Sequence, residues 1–229
     1  MTGCDANGPV IRLDKVTKVF NGSGHPTTAV REVSLEARRG EMVLLLGPSG
    51  SGKTTLLTLV AGLARPTSGS VSLFGRSVEE YSAAELQSLR AERIGFVFQT
   101  FLLIDSLTAA ENIEIVLRFN RERRADRARR TRALLGELGI EHLAARFPRA
   151  MSQGEKQRVA VARAVANDAE LLIADEPTGS LETRQAIDIV RLLHDQAKAR
   201  NTAVIVASHD LRLEEFADRT LRLRDGMMG

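Results

Sequence analysis

The sequence predicts an α/β fold with a mainly parallel central sheet, an N-terminal antiparallel β subdomain and an inserted α-helical subdomain. Two observations support the central sheet of this prediction. The short apolar run 42–46 leads through a glycine-rich segment into the helical pattern of 55–60. Two further apolar runs, 170–175 and 202–207, flank the helical stretch 181–200, which is the pattern of a β–α–β unit with parallel strands.

The antiparallel β subdomain is predicted by the first part of the chain. Residues 10–20 and 29–37 alternate apolar and polar side chains, as half-exposed strands do. The turn-forming residues 21–26 separate them, and the turn at 39–41 leads to the apolar strand 42–46. We therefore expect two strands before the central sheet begins.

The inserted subdomain is predicted by helical periodicity from residue 82 to about residue 150, interrupted only by the apolar strand 94–98. No repeat, low-complexity tract or linker divides the chain. We therefore predict a single domain over 1–229. Its core and β subdomain take about 10–81 and 156–229, and its helical subdomain takes about 82–155.

The segment 47–54 reads Gly-Pro-Ser-Gly-Ser-Gly-Lys-Thr and fits the pattern G-x-x-x-x-G-K-[ST] between a strand and a helix. Its glycines let backbone N–H groups point at phosphate oxygens, and the helix adds its positive end. Lys53 is expected to reach the β- and γ-phosphates and Thr54 to hold Mg²⁺. A glycine-rich turn without a ligand would require a chance match at every fixed position. The motif predicts a P-loop NTPase core, with phosphate contacts from Gly47, Ser49, Gly50, Ser51, Gly52, Lys53, Thr54 and Thr55.

Two acids complete the predicted nucleotide site. The apolar run 170–175 ends in Asp175, and Glu176 follows. We expect Asp175 to act through the hydration shell of the metal and Glu176 to polarise the attacking water as general base. A strand that ends in an acid is a weak signal alone, but the phosphate loop upstream makes it specific.

Residues 151–164 read Met-Ser-Gln-Gly-Glu-Lys-Gln-Arg-Val-Ala-Val-Ala-Arg-Ala. With the two motifs above, they resemble the nucleotide-binding subunit of ATP-binding cassette (ABC) transporters, and the resemblance covers nearly the whole chain. The family signature is Leu-Ser-Gly-Gly-Gln, which Ser152 and Gly154 match. The resemblance implies that these two residues contact the γ-phosphate of ATP held by the opposite subunit. Met151, Gln153 and Glu155 depart from the signature, and Glu155 adds negative charge near a triphosphate.

The resemblance assigns three more residues to the site. Gln99, after the strand 94–98, matches the glutamine that senses Mg²⁺ and joins the core to the helical subdomain. His209 matches the switch histidine, which holds the γ-phosphate and positions the catalytic glutamate. Phe20 falls where the family keeps an aromatic residue that stacks on adenine, although a core phenylalanine at a strand end is the competing interpretation. Glu182 stands where the family usually has aspartate.

The resemblance also implies partners. Each ATP is expected to lie between the phosphate loop of one subunit and the signature of another, in an ATP-dependent head-to-tail homodimer that drives a transmembrane permease subunit. The apolar cluster after Gln99 matches the region that receives a short cytoplasmic helix of the permease; burial inside the helical subdomain is the alternative. Its apolar members are Phe101, Leu102, Leu103 and Ile104.

The segments 95–103 and 107–112, with the long turn 21–28, are similar to the branch that serves macrolide and lipoprotein exporters. We therefore expect ATP and Mg²⁺ as cofactors, and ATP hydrolysis coupled to export or mechanotransmission. A soluble ABC ATPase acting on nucleic acid or ribosomes is the alternative function. A P-loop kinase is disfavoured by the signature and by His209.

Composition sets limits on localisation and on partners. The N-terminus lacks the pattern of a signal peptide, and no apolar run approaches the ~20 residues that span a bilayer, so we expect a cytoplasmic protein attached peripherally through the permease. The single cysteine, Cys4, predicts a free thiol. The net charge of +3 does not favour nucleic acid. Residues 118–132 are rich in arginine, which predicts a solvated basic helix, with anionic lipid or an acidic partner as the alternative contact.

Overall fold

The computed structural model describes residues 8–21, 25–119 and 123–229. The prediction of a free thiol at Cys4, the centre of the turn 21–26 and part of the arginine-rich run lie outside these residues. In chain order the elements are β1 (Ile11–Phe20), β2 (Thr27–Ala37), β3 (Met42–Leu46), α1 (Lys53–Val60), β4 (Ser68–Leu73), β5 (Arg76–Ser77), α2 (Ala83–Arg93), β6 (Ile94–Phe98), α3 (Ala109–Phe119), α4 (Arg124–Glu137), α5 (Gln153–Val165), β7 (Leu171–Asp175), α6 (Thr183–Arg200), β8 (Ala203–Ser208), β9 (Arg219–Arg224) and β10 (Met227–Met228).

The central sheet has the strand order β10-β9-β3-β8-β7-β6. Its strands pair in parallel from β9 to β6, and only the pairing of β10 with β9 is antiparallel. Every residue of β3 and β8 is buried, as expected for strands covered on both faces. The predicted mainly parallel core is therefore confirmed.

The second sheet is antiparallel and has the order β2-β1-β4-β5. The two strands predicted for 10–20 and 29–37 are β1 and β2, whose alternating burial confirms one covered and one exposed face. The sequence prediction missed β4 and β5 because the segment SGSVSL of β4 carries few apolar side chains. It also missed β9, whose six residues include three arginines, and the two-residue β10.

Apolar residues cover both faces of the central sheet. One core cluster joins β1, β2, β4, α1 and α2 to the sheet, and the other joins α3, α4, α5 and α6 to its opposite face. The residues predicted to form one helical subdomain, 82–155, therefore pack on both faces of the central sheet. Leu86 and Leu89 of α2 lie in the cluster of the β subdomain, and β6 pairs with β7 inside the central sheet. We therefore propose that the helical subdomain begins after Phe98 rather than at about residue 82.

Helix α2 is preceded by its N-cap Ser82, which forms a capping box in which Ser82 and Glu85 satisfy each other's backbone N–H groups. Among the helices of the described residues, none combines the length and the apolar character needed to cross a lipid bilayer.

Candidate functional site

The phosphate loop joins the end of β3 to the start of α1 and packs closely against β9 and β2. A Cβ atom on Gly47 would lie 2.2 Å from the carbonyl oxygen of Leu223, and one on Gly52 would lie 2.3 Å from that of Ala29. Gly52 also has a φ of 103°, which side chains other than glycine rarely adopt. These two glycines are therefore required by packing as well as by loop curvature.

The remaining predicted phosphate contacts lie along the same loop. Ser49, Gly50 and Thr54 are exposed, Thr55 is half-buried in the first turn of α1, and Ser51 is buried. The hydroxyl oxygen of Ser51 has no hydrogen-bond partner among the described residues. A buried hydroxyl without a partner costs free energy unless a ligand satisfies it. The loop therefore has the exposed backbone and the spare donor that a phosphate group would use.

Lys53 lies across the mouth of the loop although its side chain is only 6% exposed. Its Nζ donates to the carbonyl oxygen of Gly47 at 2.6 Å and to that of Pro48 at 3.0 Å. It also lies 3.3 Å from Oε1 of Glu176. The ammonium group is thus fixed between the loop and the acid predicted to act as general base, where it can bind phosphate oxygens.

Thr54 and Asp175 meet at the end of α1 that faces the sheet. The Oγ1 of Thr54 donates to Oδ2 of Asp175 at 2.9 Å. Burial raises the pKa of Asp175, and the charge of Glu176 raises it further, while the hydrogen bond from Thr54 and the charge of Lys53 oppose the shift. The other carboxylate oxygen, Oδ1, is buried without a hydrogen-bond partner in the described part of the chain.

The side-chain oxygen atoms of Thr54 and Asp175 suit Mg²⁺ as ligands. A hydroxyl and a carboxylate are the hard oxygen ligands that this ion prefers. A cation near Oδ1 of Asp175 would compensate both its burial and its missing hydrogen bond. The structure thus brings together Thr54 and Asp175, two of the three residues predicted to hold the metal.

Glu176 and His209 are in direct contact, as the family resemblance implies. The Nδ1 atom of His209 lies 2.9 Å from Oε2 of Glu176, so in the tautomer with a proton on Nδ1 the imidazole donates to this carboxylate. Glu176 has a φ of 47°, and its backbone N–H donates to the carbonyl oxygen of Ala207 at 2.9 Å. A left-handed glutamate held in this way is the kind of constraint found at functional sites.

Gln99 lies beside this group without joining its hydrogen bonds. It follows Phe98, which is in register with Asp175 on the neighbouring strand. A Cβ atom on Gly179 would lie 2.7 Å from Nε2 of Gln99, so the amide packs against the loop that follows Glu176. Within the described ranges, Gln99 makes no hydrogen bond to Thr54 or Asp175. Its predicted role as a metal ligand therefore stays a prediction.

Ser152 and Gly154 lie at the start of α5. Ser152 is the N-cap, and its Oγ accepts from the N–H of Glu155 at 3.3 Å. Both residues line a cleft of about 390 Å³ with Gln185 and Asp188 of α6, and none of its described lining residues belongs to the phosphate loop. The cleft at the signature is thus distinct from the phosphate loop of the same chain.

Phe20 is the last residue of β1, and 48% of its surface is exposed. The Nζ atom of Lys18 lies 5.3 Å from the centre of its ring. This exposure is incompatible with a core phenylalanine, the competing interpretation of the sequence. The aromatic face remains available for a stacking ligand.

The arginine-rich helix α4 is largely charge-paired in its described part. Arg127 lies 3.1 Å from Glu114, Arg129 lies 3.1 Å from Asp126, and Arg130 lies 2.5 Å from Asp168. These pairs support the prediction of a solvated helix. The alternative of lipid contact stays a prediction.

Fold and site together define a P-loop nucleotide-binding protein, and comparison with known proteins identifies its family. The family model described as ABC transporter matches residues 30–179. The chain belongs to the ABC transporter family. This confirms the resemblance inferred from the phosphate loop and the signature.

Curated relatives include two macrolide export ATP-binding/permease proteins named MacB. The protein from Agrobacterium fabrum (strain C58 / ATCC 33970) is 36% identical over 220 residues, and that from Burkholderia pseudomallei (strain K96243) is 38% identical over 219 residues. Each match covers 96% of this chain. The chain spans about a third of the length of these relatives, 34% and 33% respectively.

Solved structures match over almost their full length. A dimeric structure of the bacterial ABC transporter cassette MJ0796 is 36% identical, with a TM-score of 0.87, over 95% of this chain and 96% of that one. The same cassette in a post-hydrolysis state bound to ADP and Pi is 35% identical, with a TM-score of 0.86, over the same shares of the two chains. CbiO1 from Clostridium perfringens, part of the cbiONQ complex, is 28% identical, with a TM-score of 0.86, over 96% of this chain and 87% of that one.

The raised pKa of Asp175 leads to a prediction about stability. A carboxyl whose pKa is higher in the folded than in the unfolded chain disfavours folding as the pH rises above the ordinary aspartate range. In the nucleotide-free protein, Asp175→Asn is therefore expected to raise the unfolding temperature at neutral pH by about 2–4 °C. The gain should shrink as the pH falls through the raised pKa, which thermal melts over a pH series would measure.

The exposed aspartate Asp14 provides the control, since Asp14→Asn should leave the unfolding temperature unchanged. An unfolding temperature that falls in Asp175→Asn would mean that the ionised carboxylate stabilises the nucleotide-free fold. It would remove the argument that this site is arranged for a cation.

Proposed function

We propose that this chain is the ATP-binding and ATP-hydrolysing subunit of an ABC transporter. It would power a separate membrane permease by ATP-driven head-to-tail dimerisation, in export or in mechanotransmission. The observation that carries this proposal is the contact of Glu176 with both Lys53 and His209, at 3.3 Å and 2.9 Å. The likeness to cassettes of bacterial transporters supports it.

The geometry suggests how the residues divide the chemistry. Lys53 and the loop N–H groups bind and orient the phosphates. Glu176 accepts a proton from the attacking water. His209 holds the carboxylate in place through its contact with Oε2. When bound by Thr54 and Asp175, Mg²⁺ would supply charge neutralisation at the phosphates. Gln99 would couple the nucleotide site to the helical subdomain, because it packs against the loop that follows Glu176.

A second copy of the chain would complete the site. Ser152 and Gly154 line a cleft to which no described residue of the phosphate loop contributes, so we propose that they serve a triphosphate other than the one held by their own chain. In a head-to-tail pair, each signature would face the loop of the other copy. The N-terminus of α5 would then present a hydroxyl and free N–H groups to the γ-phosphate.

Adenine stacking on Phe20 can be tested directly. Because an aromatic–base stack contributes about 1–3 kcal/mol, Phe20→Ala is expected to raise the KM for ATP by about tenfold and to leave kcat nearly unchanged. Phe20→Tyr keeps the aromatic face and should restore the original KM. Steady-state hydrolysis of ATP by the three proteins measures this. An unchanged KM in Phe20→Ala would rule out the stacking role.

The permease is proposed to contact the segment after Gln99. Leu102 and Ile104 are 55% and 40% exposed, whereas Phe101 is only 8% exposed. Phe101 and Leu102 both have left-handed backbone, with φ of 60° and 47°. The half-buried side chain of Arg163 donates to the carbonyl oxygens of Phe101 and Leu102 at 2.8 Å and 2.5 Å. This segment is thus fixed to the signature helix α5, and a force on it would reach Ser152.

We expect Leu102→Ser to lower the permease-stimulated part of ATP hydrolysis by about fivefold, because an exposed apolar contact is lost. Basal hydrolysis and the unfolding temperature should not change. Phe119→Ser is the control, since Phe119 is 73% exposed on α3. Equal loss in the two variants, measured with the permease in lipid vesicles, would contradict a specific contact at Leu102.

This partner would hold the chain on the cytoplasmic face of the cell membrane. A role on nucleic acid is not proposed, since three of the described arginines of α4, Arg127, Arg129 and Arg130, are paired with acids. Cargo and direction would be set by the permease.

A further inference from the structure

The signature of this chain carries a carboxylate, Glu155, close to where the proposed function places a γ-phosphate. The following inference rests on that function. Glu155 is the third residue of α5 and is 26% exposed at its side chain. Two negative groups brought together on dimerisation repel each other unless a cation compensates one of them. Approach of this signature to a triphosphate therefore requires a positive group beside Glu155.

The carboxylate folds back onto the N-terminal end of α5 through its own hydrogen bonds. Its Oε2 accepts from the backbone N–H of Ser152 at 2.7 Å, and the Oγ of Ser152 accepts from the N–H of Glu155 at 3.3 Å. The hydroxyl of Ser152 thereby keeps its proton free to donate to a phosphate oxygen. The backbone N–H of Ser152 is also the largest cause that lowers the pKa of Glu155, so this group is ionised at neutral pH.

The second oxygen of the carboxylate faces two basic side chains. Nε2 of His142 lies 3.6 Å from Oε1 of Glu155, and an Nη1 of Arg146 lies 3.9 Å from the same atom. Both come from the segment 141–146, between α4 and α5, and both are more than half exposed. His142 also lines the cleft at Ser152 and Gly154. His142 carries a charge only when it is protonated, and besides it and Arg146 no ion pair to Glu155 is formed among the described residues.

We propose that His142 and Arg146 are positioning residues of the composite ATP site, which neutralise Glu155 so that this signature can approach the triphosphate of the opposite subunit. They act through Glu155 and Ser152 and do not touch the nucleotide themselves. Glutamine at position 155 would keep the cap to Ser152 and would carry no charge. The need for the two bases should therefore exist only while position 155 is a carboxylate.

A mutant cycle tests this dependence. Two variants remove the bases: Arg146→Ala alone, and His142→Ala together with Arg146→Ala. A third variant carries Glu155→Gln alone. Two further variants combine Glu155→Gln with each of the first two. The measurements are KM and kcat for ATP, and the ATP concentration for half-maximal dimer formation by size-exclusion chromatography in the Glu176→Gln background. Arg12→Ala is the control, because Arg12 is a similarly exposed arginine, paired with Glu36 on the antiparallel sheet.

With Glu155 present, the double change is expected to raise the KM and the ATP concentration for dimerisation by about three- to tenfold, since each dimer contains two such sites. The kcat at saturating ATP and the unfolding temperature should stay within about twofold and ~2 °C of the parent. Adding Glu155→Gln should restore both values. Arg12→Ala should have no effect.

Equal losses with and without Glu155→Gln would overturn the proposal and would assign the two bases a purely structural role. No loss in either background would overturn it too, because the charge of Glu155 would then need no compensation. A parent chain that neither hydrolyses ATP nor dimerises with it would instead contradict the proposed function on which the inference rests.

Discussion

Replacing Glu176 by glutamine is expected to slow ATP hydrolysis by about two to three orders of magnitude, because general-base catalysis contributes roughly that factor. Glutamine keeps the shape of the side chain and can still interact with His209, but it cannot take a proton from water. Binding of ATP should persist, since the phosphate loop is untouched. The variant is therefore expected to accumulate as an ATP-bound dimer, which size-exclusion chromatography with ATP and Mg²⁺ would detect.

Glu79→Gln is a matched control, since Glu79 is an exposed glutamate after β5 and away from the phosphate loop. Its hydrolysis rate should equal that of the parent. Rapid hydrolysis by Glu176→Gln, or a variant that binds ATP and remains monomeric, would contradict the role given to Glu176.

Replacing Lys53 by methionine is expected to slow ATP hydrolysis about as much as Glu176→Gln does. Unlike Glu176→Gln, it is also expected to weaken ATP binding. Lys53 is nearly buried and contacts both the carbonyl oxygen of Gly47 and the carboxylate of Glu176. Without it, charge-assisted hydrogen bonds to the phosphates are lost, each of which contributes about 1.5–3 kcal/mol. We expect ATP affinity to fall by more than about tenfold and hydrolysis by about a thousandfold.

Isothermal titration with ATP measures the affinity, and Lys15→Met on an exposed part of β1 controls for loss of a lysine. Lys53→Met also leaves the carbonyl oxygens of Gly47 and Pro48 without their donor. A thermal melt therefore separates a loss of binding from a loss of fold. Unchanged affinity in a folded variant would mean that Lys53 serves only to close the loop.

Local patterns predicted the parts of this protein that local interactions determine. The phosphate loop was recognisable because its glycines, Lys53 and Thr54 are adjacent in sequence and lie between a strand and a helix. The β–α–β unit was predicted because buried parallel strands leave long apolar runs. The strand β4 was missed because it pairs with β1, which lies far along the chain, and β10 was missed because it has only two residues.

Other features of the site arise from tertiary packing and have no local signal. The contact of His209 with Glu176 was predicted only from the family resemblance, since the two residues are distant in sequence. The close approach of Gly52 to Ala29 and the bonds from Arg163 to Phe101 and Leu102 were not foreseen. The sequence likewise left open which apolar residue after Gln99 is exposed, because a left-handed turn has no periodicity from which to infer it.

The most direct test of the central claim, that each ATP lies between two copies of the chain, mixes two inactive variants. One chain carries Lys53→Met and the other carries Gly154→Asp, an acidic residue in the first turn of α5 that is compatible with the helix. A mixed head-to-tail dimer would contain one site with both defects and one intact site. Hydrolysis in an equimolar mixture is therefore expected to rise to about a quarter of the parent rate, well above that of either variant alone. No restoration at any mixing ratio, although the two chains associate when ATP is added, would contradict the shared site.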